Sequence, residues 1–132
     1  MNVAASLSQN SLQGLQVLIV EDETLVAMLI EDYLRELGCE IALSASRVAK
    51  AMKSIETCRI DAAVLDVNVA GDSISELVET LKKRGIPFIL ASGYGARGIG
   101  SRWPGSLVLQ KPFSEADLGA ALLASVRNGA RA

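Results

Sequence analysis

Residues 17–23 read VLIVEDE: the apolar run Val17, Leu18, Ile19 and Val20 passes directly into Glu21, Asp22 and Glu23. An unbroken apolar run of this length has the pattern of a strand buried on both faces, as in a parallel sheet. Carboxylates at the end of such a strand lose hydration and repel one another, by about 4 kcal/mol per pair at ~4 Å in an effective dielectric of ~20. The arrangement calls for something positive at the carboxyl end of the strand.

The rest of the chain sets the frame for that strand. Its 132 residues, 50% hydrophobic and 21% charged, have the size and composition of one globular domain. A net charge of −2 gives no basic field for nucleic acid or an anionic membrane surface. The longest clear apolar run, LVAMLI at 25–30, falls far short of the roughly 20 residues that span a bilayer, so no membrane insertion is expected. The opening MNVAASLSQNSLQG has no basic residue and does not read as a secretory signal; residues 1–14 are expected to be a flexible tail, with 15–128 as the folded domain and 129–132 as a second tail. Cys39 and Cys58 show no CxxC spacing, and the chain has no histidine to complete a zinc set, so both read as reduced cytoplasmic thiols. The missing histidine also excludes a histidine-dependent triad.

Short apolar runs alternate with helical patterns, the mark of β-α units around a parallel sheet. Strands are expected near 16–20, 40–43, 61–65, 88–91 and 106–109. A helix over 23–37 would place Leu25, Leu29, Tyr33, Leu34 and Leu37 on one face and stop at Gly38. A second, over 46–57, repeats this with Val48, Ala49, Met52 and Ile55. A third, over 73–84, carries Ile74, Leu77, Val78 and Leu81 and ends in KKR before Gly85. The last, over 114–127, opens on SEAD, a capping-box pattern behind Pro112. Between strands 4 and 5, GYGARGIGSRWPGS (93–106) holds five glycines, each costing about 1 kcal/mol against alanine in a helix, so a fourth helix there is expected to be weak or short. The fold expected is α/β: a doubly wound, flavodoxin-like, five-stranded parallel sheet of order 2-1-3-4-5. Ligands then sit at the carboxyl ends of the strands, where the order reverses between strands 1 and 3.

Each strand at that mouth ends in a polar residue: Glu21 and Asp22 after strand 1, Asp66 after strand 3, Ser92 after strand 4 and Lys111 after strand 5. Three converging carboxylates suit Mg²⁺, a hard cation with oxygen ligands. Lys111 and Ser92 supply a point charge and a hydroxyl for the oxygens of a phosphoryl group, and Asp66 is the candidate nucleophile, able to carry that group as an acyl phosphate.

These residues, in this order on these strand ends, resemble the receiver domain of bacterial response regulators from residue 16 to 127. The resemblance implies that Asp66 is the phosphoacceptor, with Ser92 and Lys111 assisting. It implies Mg²⁺ (or Mn²⁺) held by Asp22, Asp66 and the backbone carbonyl of Asn68, with Glu21 acting mainly through water. The donor would be a sensor histidine kinase or a histidine phosphotransfer protein, and signalling would run through protein contacts on the face of strand 5 and the two last helical segments. The domain would not be an enzyme beyond self-catalysed phosphoryl acceptance and autodephosphorylation. Val108 stands where many receivers carry Tyr or Phe, three residues before the lysine, and LASGYG follows strand 4; both resemble the single-domain receivers with a FATG-type sequence. Ala70 stands where many receivers carry proline.

Other chemistries fit less well. An FMN site needs a hydroxyl- and glycine-rich loop after strand 1, where EDETL would repel phosphate. An aspartate-nucleophile phosphatase needs a second aspartate where Asn68 stands, and no P-loop is present. Taken singly, the acids could be helix-terminal complements to the dipole. A receiver fold serving only as a protein-binding module or phosphate sink is the serious alternative. With little chain after the last helix, no output domain is expected, and the target is a separate, unidentified protein.

Overall fold

The computed structural model describes residues 12–93, 103 and 105–131. Five strands, β1 (Gln16–Val20), β2 (Glu40–Ala45), β3 (Ala62–Asp66), β4 (Phe88–Ser92) and β5 (Leu107–Gln110), form one parallel sheet of order β2-β1-β3-β4-β5. Four helices stand among the described residues: α1 (Thr24–Glu36), α2 (Val48–Thr57), α3 (Ser75–Lys83) and α4 (Glu115–Arg131). The expected weak fourth helix falls largely on 94–102, outside the described residues.

Strand alternation divides the core into two layers. Leu18, Val20, Ala63, Leu65 and Leu90 face α2 and α3, whereas Val17, Ile19, Ala62, Val64 and Ile89 face α1 and α4. Each large side chain fully buried here contributes about 1.5–3 kcal/mol. With helices on both faces the central strands lack a polar side, which is why VLIV carries no alternation.

Local signals behave as the sequence implies. Gly38 and Gly85 follow α1 and α3 at φ +90 and +68, the left-handed region that glycine enters without steric penalty. At α4, Ser114 and Asp117 cap each other: each backbone N–H donates to the other's side-chain oxygen over 3.1 Å.

Two helix faces differ from expectation. In α1 the buried residues are Ala27, Ile30 and Leu34, while Leu25 is 81% and Leu29 47% exposed. LVAMLI offers two apolar stripes, and periodicity alone cannot choose between them; the sheet takes the one continuous with Tyr33, Leu34 and Leu37. In α2, Ala51 is buried and Ala49 exposed, because Ala51 stands three residues after Val48 and four before Ile55 on the core-facing stripe. At α3, the cap residue Ile74 and the helical Leu77, Val78 and Leu81 are all buried as expected.

Packing begins before β1. Leu12 is buried against the α1 and α4 layer, and Gly14 N–H donates to Gly38 O over 2.8 Å. No helix among the described residues is long and apolar enough to cross a membrane.

Candidate functional site

The parallel register sets the site. Val20 pairs with Leu65, so the next residues, Glu21 and Asp66, emerge side by side; Asp66 pairs with Ala91, and Ser92 with Gln110. Strand direction thus delivers β1, β3, β4 and β5 to one mouth with their polar ends level.

Carboxylate oxygens of Glu21, Asp22 and Asp66 lie within 4.8 Å of one another. Glu21 and Asp66 are buried, and Asp22 is partly exposed. Lys111 reaches into this cluster, its Nζ donating to Glu21 Oε1 over 2.7 Å and standing 3.3 Å from Asp66 Oδ2. Backbone amides complete the shell: Glu23 N–H donates to Glu21 Oε2 over 3.1 Å, Asn68 N–H to Asp66 Oδ1 over 3.1 Å, and Ala70 N–H to Asp22 Oδ2 over 3.0 Å.

Burial pushes the Glu21 carboxyl above its ordinary range, against the opposing hydrogen bonds from Lys111 and the Glu23 amide. For Lys111, burial works against the charge, yet the hydrogen bond to Glu21 and the fields of Asp66 and Glu21 hold its ammonium above the ordinary lysine range. One ammonium faces three acids, so the cluster retains an excess of negative charge when its acids are ionised. An all-oxygen donor set of this kind fits a small hard cation such as Mg²⁺.

The cluster opens into a cleft of about 400 Å³ lined by Asp22, Glu23, Asp66, Val67, Asn68, Gly93 and Lys111. Ser92 is fully buried at the end of β4, one residue before Gly93, and its carbonyl accepts the Lys111 N–H over 2.8 Å. All of the strand-end residues singled out in the sequence therefore converge on one end of the sheet, with Asn68 on the cleft wall.

One contact at the rim had no sequence signal. Arg47 grips Asp72 through two hydrogen bonds of 3.0 and 3.1 Å, although they lie 25 positions apart. Ala70 has φ +50 and uses its N–H on Asp22, neither of which a proline could do.

Comparison with known proteins gives the same picture. The response regulator receiver domain model matches residues 17–123. The chain is 34% identical over 107 residues to the transcriptional regulatory protein PdtaR of Mycobacterium tuberculosis, a match covering 78% of this chain and 52% of PdtaR. It thus spans about half the length of the curated relatives it matches. The solution structure of SdrG from Sphingomonas melonis Fr1 superposes with a TM-score of 0.76 at 40% identity, over 86% of this chain and 97% of SdrG. A mutant of the anti-anti-sigma factor PhyR from Bartonella quintana gives a TM-score of 0.82 at 26% identity, over 98% of this chain and 55% of that one.

Proposed function

The chain belongs to the response regulator receiver domain family, with a role in two-component signalling, and on that premise we propose that it is a phosphorylation-dependent switch with Asp66 as phosphoacceptor. An Asp66 oxygen attacks the phosphorus of a phosphohistidine on a sensor histidine kinase or histidine phosphotransfer protein. The P–O bond forms as the N–P bond breaks, and the bonding pair leaves with the imidazole nitrogen. Lys111 holds one phosphoryl oxygen as a point charge, and the Ser92 hydroxyl donates to another. Bound by Asp22, Asp66 and the Asn68 carbonyl, with Glu21 through water, Mg²⁺ (or Mn²⁺) would supply the charge that stabilises the equatorial oxygens. Attack of water on the phosphorus forms a new P–O bond as the bond to the Asp66 oxygen breaks, which releases inorganic phosphate and returns Asp66 to its carboxylate.

The observation that supports this reading is the joint placement of Lys111 Nζ 3.3 Å from Asp66 Oδ2 and of three carboxylates within 4.8 Å, open to a cleft. Incubation with Mg²⁺ and acetyl phosphate or phosphoramidate, followed by intact mass, tests it. The wild type should gain one phosphoryl group and Asp66→Asn none; labelling of that variant at the native rate would end the reading.

For the donor we propose the α1 surface beside the cleft. Leu25, Met28 and Leu29 are exposed there. Leu29 also walls an apolar groove of about 320 Å³ with Val26, Ile30, Pro112 and Phe113, which Glu23 and Lys111 line as well. A helix carrying the phosphohistidine could rest on this surface with its imidazole over Asp66. Output would pass to a protein target through the face of β5 and α4, with the cytoplasm as the compartment, in keeping with the free thiols of Cys39 and Cys58.

A further inference from the structure

Arg47 occupies the cap position of α2, immediately after β2 has carried the chain to the carboxyl end of the sheet. Its Nε and Nη2 donate to Asp72 Oδ2 and Oδ1 over 3.0 and 3.1 Å, a fork-on-fork pair that fixes direction as well as distance. Asp72 closes a tight turn: its N–H donates to Val69 O over 2.8 Å, and Ala70 and Gly71 both have positive φ, +50 and +79. This mirror-image turn suits glycine at its second central position and is sterically disfavoured for alanine at its first.

Two side-chain contacts hold the turn from opposite ends. Ala70 N–H is hydrogen-bonded to Asp22, a member of the carboxylate cluster, and Asp72 is gripped by Arg47. Asn68, one residue before the turn, lines the cleft and donates its N–H to Asp66. The hydrogen bonds to Asp72, its charge and the further pull of Asp22 raise Arg47 above its ordinary range, and the Arg47 hydrogen bond holds Asp72 below the usual carboxylate range.

We propose that Arg47 is a positioning residue for the cation site: through Asp72 it holds the 69–72 turn on Asp22 and thereby keeps Asp22 and the Asn68 carbonyl in place for a divalent ion. The inference rests on the proposed phosphoacceptor site, since that site supplies the ion's ligands. Arg47 and Asp72 cancel in charge as a pair. Removing both leaves the net charge at the rim unchanged and removes only the grip.

The test compares the wild type, a neutral pair (Arg47→Gln with Asp72→Asn) and an exchanged pair (Arg47→Asp with Asp72→Arg), each titrated with Mg²⁺ by NMR. Amide exchange is followed at residues 69–72 in metal-free protein, with the core amide of Val64 as reference. In the neutral pair the Mg²⁺ Kd should rise by about threefold to fivefold, within the modest range of exposed ion pairs. Exchange at 69–72 should quicken while Val64 is unmoved, and the exchanged pair should recover part of the loss. A wild type that binds Mg²⁺ and a neutral pair that binds it equally well would overturn the role of Arg47 alone. A wild type that binds no Mg²⁺ would overturn the cation site, and this inference with it.

Discussion

Lys111 donates a hydrogen bond to Glu21 over 2.7 Å, joining residues 90 positions apart, and the carboxylate that receives it is almost wholly shielded from solvent. The lysine thereby neutralises part of the charge of the cluster. The same ammonium contacts Glu21 and Asp66 and, in the proposed function, would also hold a phosphoryl oxygen.

Lys111→Ala leaves two buried carboxylates without their cation. The metal-free variant should lose about 1–3 kcal/mol, the cost of stranding buried polar groups, and its stability should depend on Mg²⁺ more steeply than that of the wild type. Phosphoryl acceptance should persist at a reduced rate, because Asp66 and the cation remain. Denaturant unfolding with and without Mg²⁺, paired with intact-mass labelling, checks both halves. A variant as stable as the wild type in chelator would show that the 2.7 Å contact contributes nothing to the fold.

Saturating Mg²⁺ should stabilise the wild type by mass action, by ~2.7 kcal/mol at a free concentration about 100 times Kd. Asp22→Asn keeps an oxygen to accept the Ala70 N–H but removes one charge from the cluster. It should raise metal-free stability by up to ~1 kcal/mol while reducing the gain from Mg²⁺. Thermal unfolding across a Mg²⁺ series measures both effects, and equal gains in the two proteins would remove Asp22 from the ligand set.

The strand ends were legible because a doubly wound sheet converts order along the chain into convergence in space. Once VLIV, AAVL, FILA and SLVL read as parallel strands, Glu21, Asp66, Ser92 and Lys111 had to meet. The α1 face was not legible, since Leu25, Met28 and Leu29 are as apolar as the Ala27 and Ile30 that the sheet covers. Nor was the Arg47–Asp72 grip, for a long-range ion pair has no periodicity and no local motif. The 2.7 Å contact between Lys111 and Glu21 belongs to the same class: sequence named both residues but not their direct pairing.

The two thiols should behave differently. Burial pushes the Cys39 thiol up to about 11 from an unfolded value near 9.0, whereas Cys58 is exposed. The folded state therefore keeps a proton that the unfolded chain releases, so the stability Cys39 contributes is fully present below pH ~9 and lost as pH rises toward 11. At neutral to mildly alkaline pH a thiol reagent should modify Cys58 rapidly and reach Cys39 only on unfolding. Cys39→Ala should flatten the alkaline decline. Rapid modification of both thiols in folded protein would contradict the burial.

No aromatic stands at Val108, so a ring swinging on β5 cannot carry the signal. Trp103 is instead buried within the core layer that includes Leu90 and packs against Val108. Ser92 and Trp103 bracket 93–102, with Ser92 tied through its carbonyl to the Lys111 backbone and the Trp103 carbonyl accepting the Ser106 N–H over 3.2 Å. In the proposed function, drawing the Ser92 hydroxyl and the Lys111 ammonium toward a phosphoryl group would pull on both ends of the β4–β5 connection at once. The local free energies that reposition such connections are small compared with global unfolding. Addition of beryllofluoride and Mg²⁺ should therefore shift the emission of Trp103, the only tryptophan, and change amide exchange across 93–105, with neither effect in Asp66→Asn. Unchanged emission and exchange, in protein whose NMR shifts at Asp66 show the mimic bound, would place the signal elsewhere and leave Asp66 as acceptor.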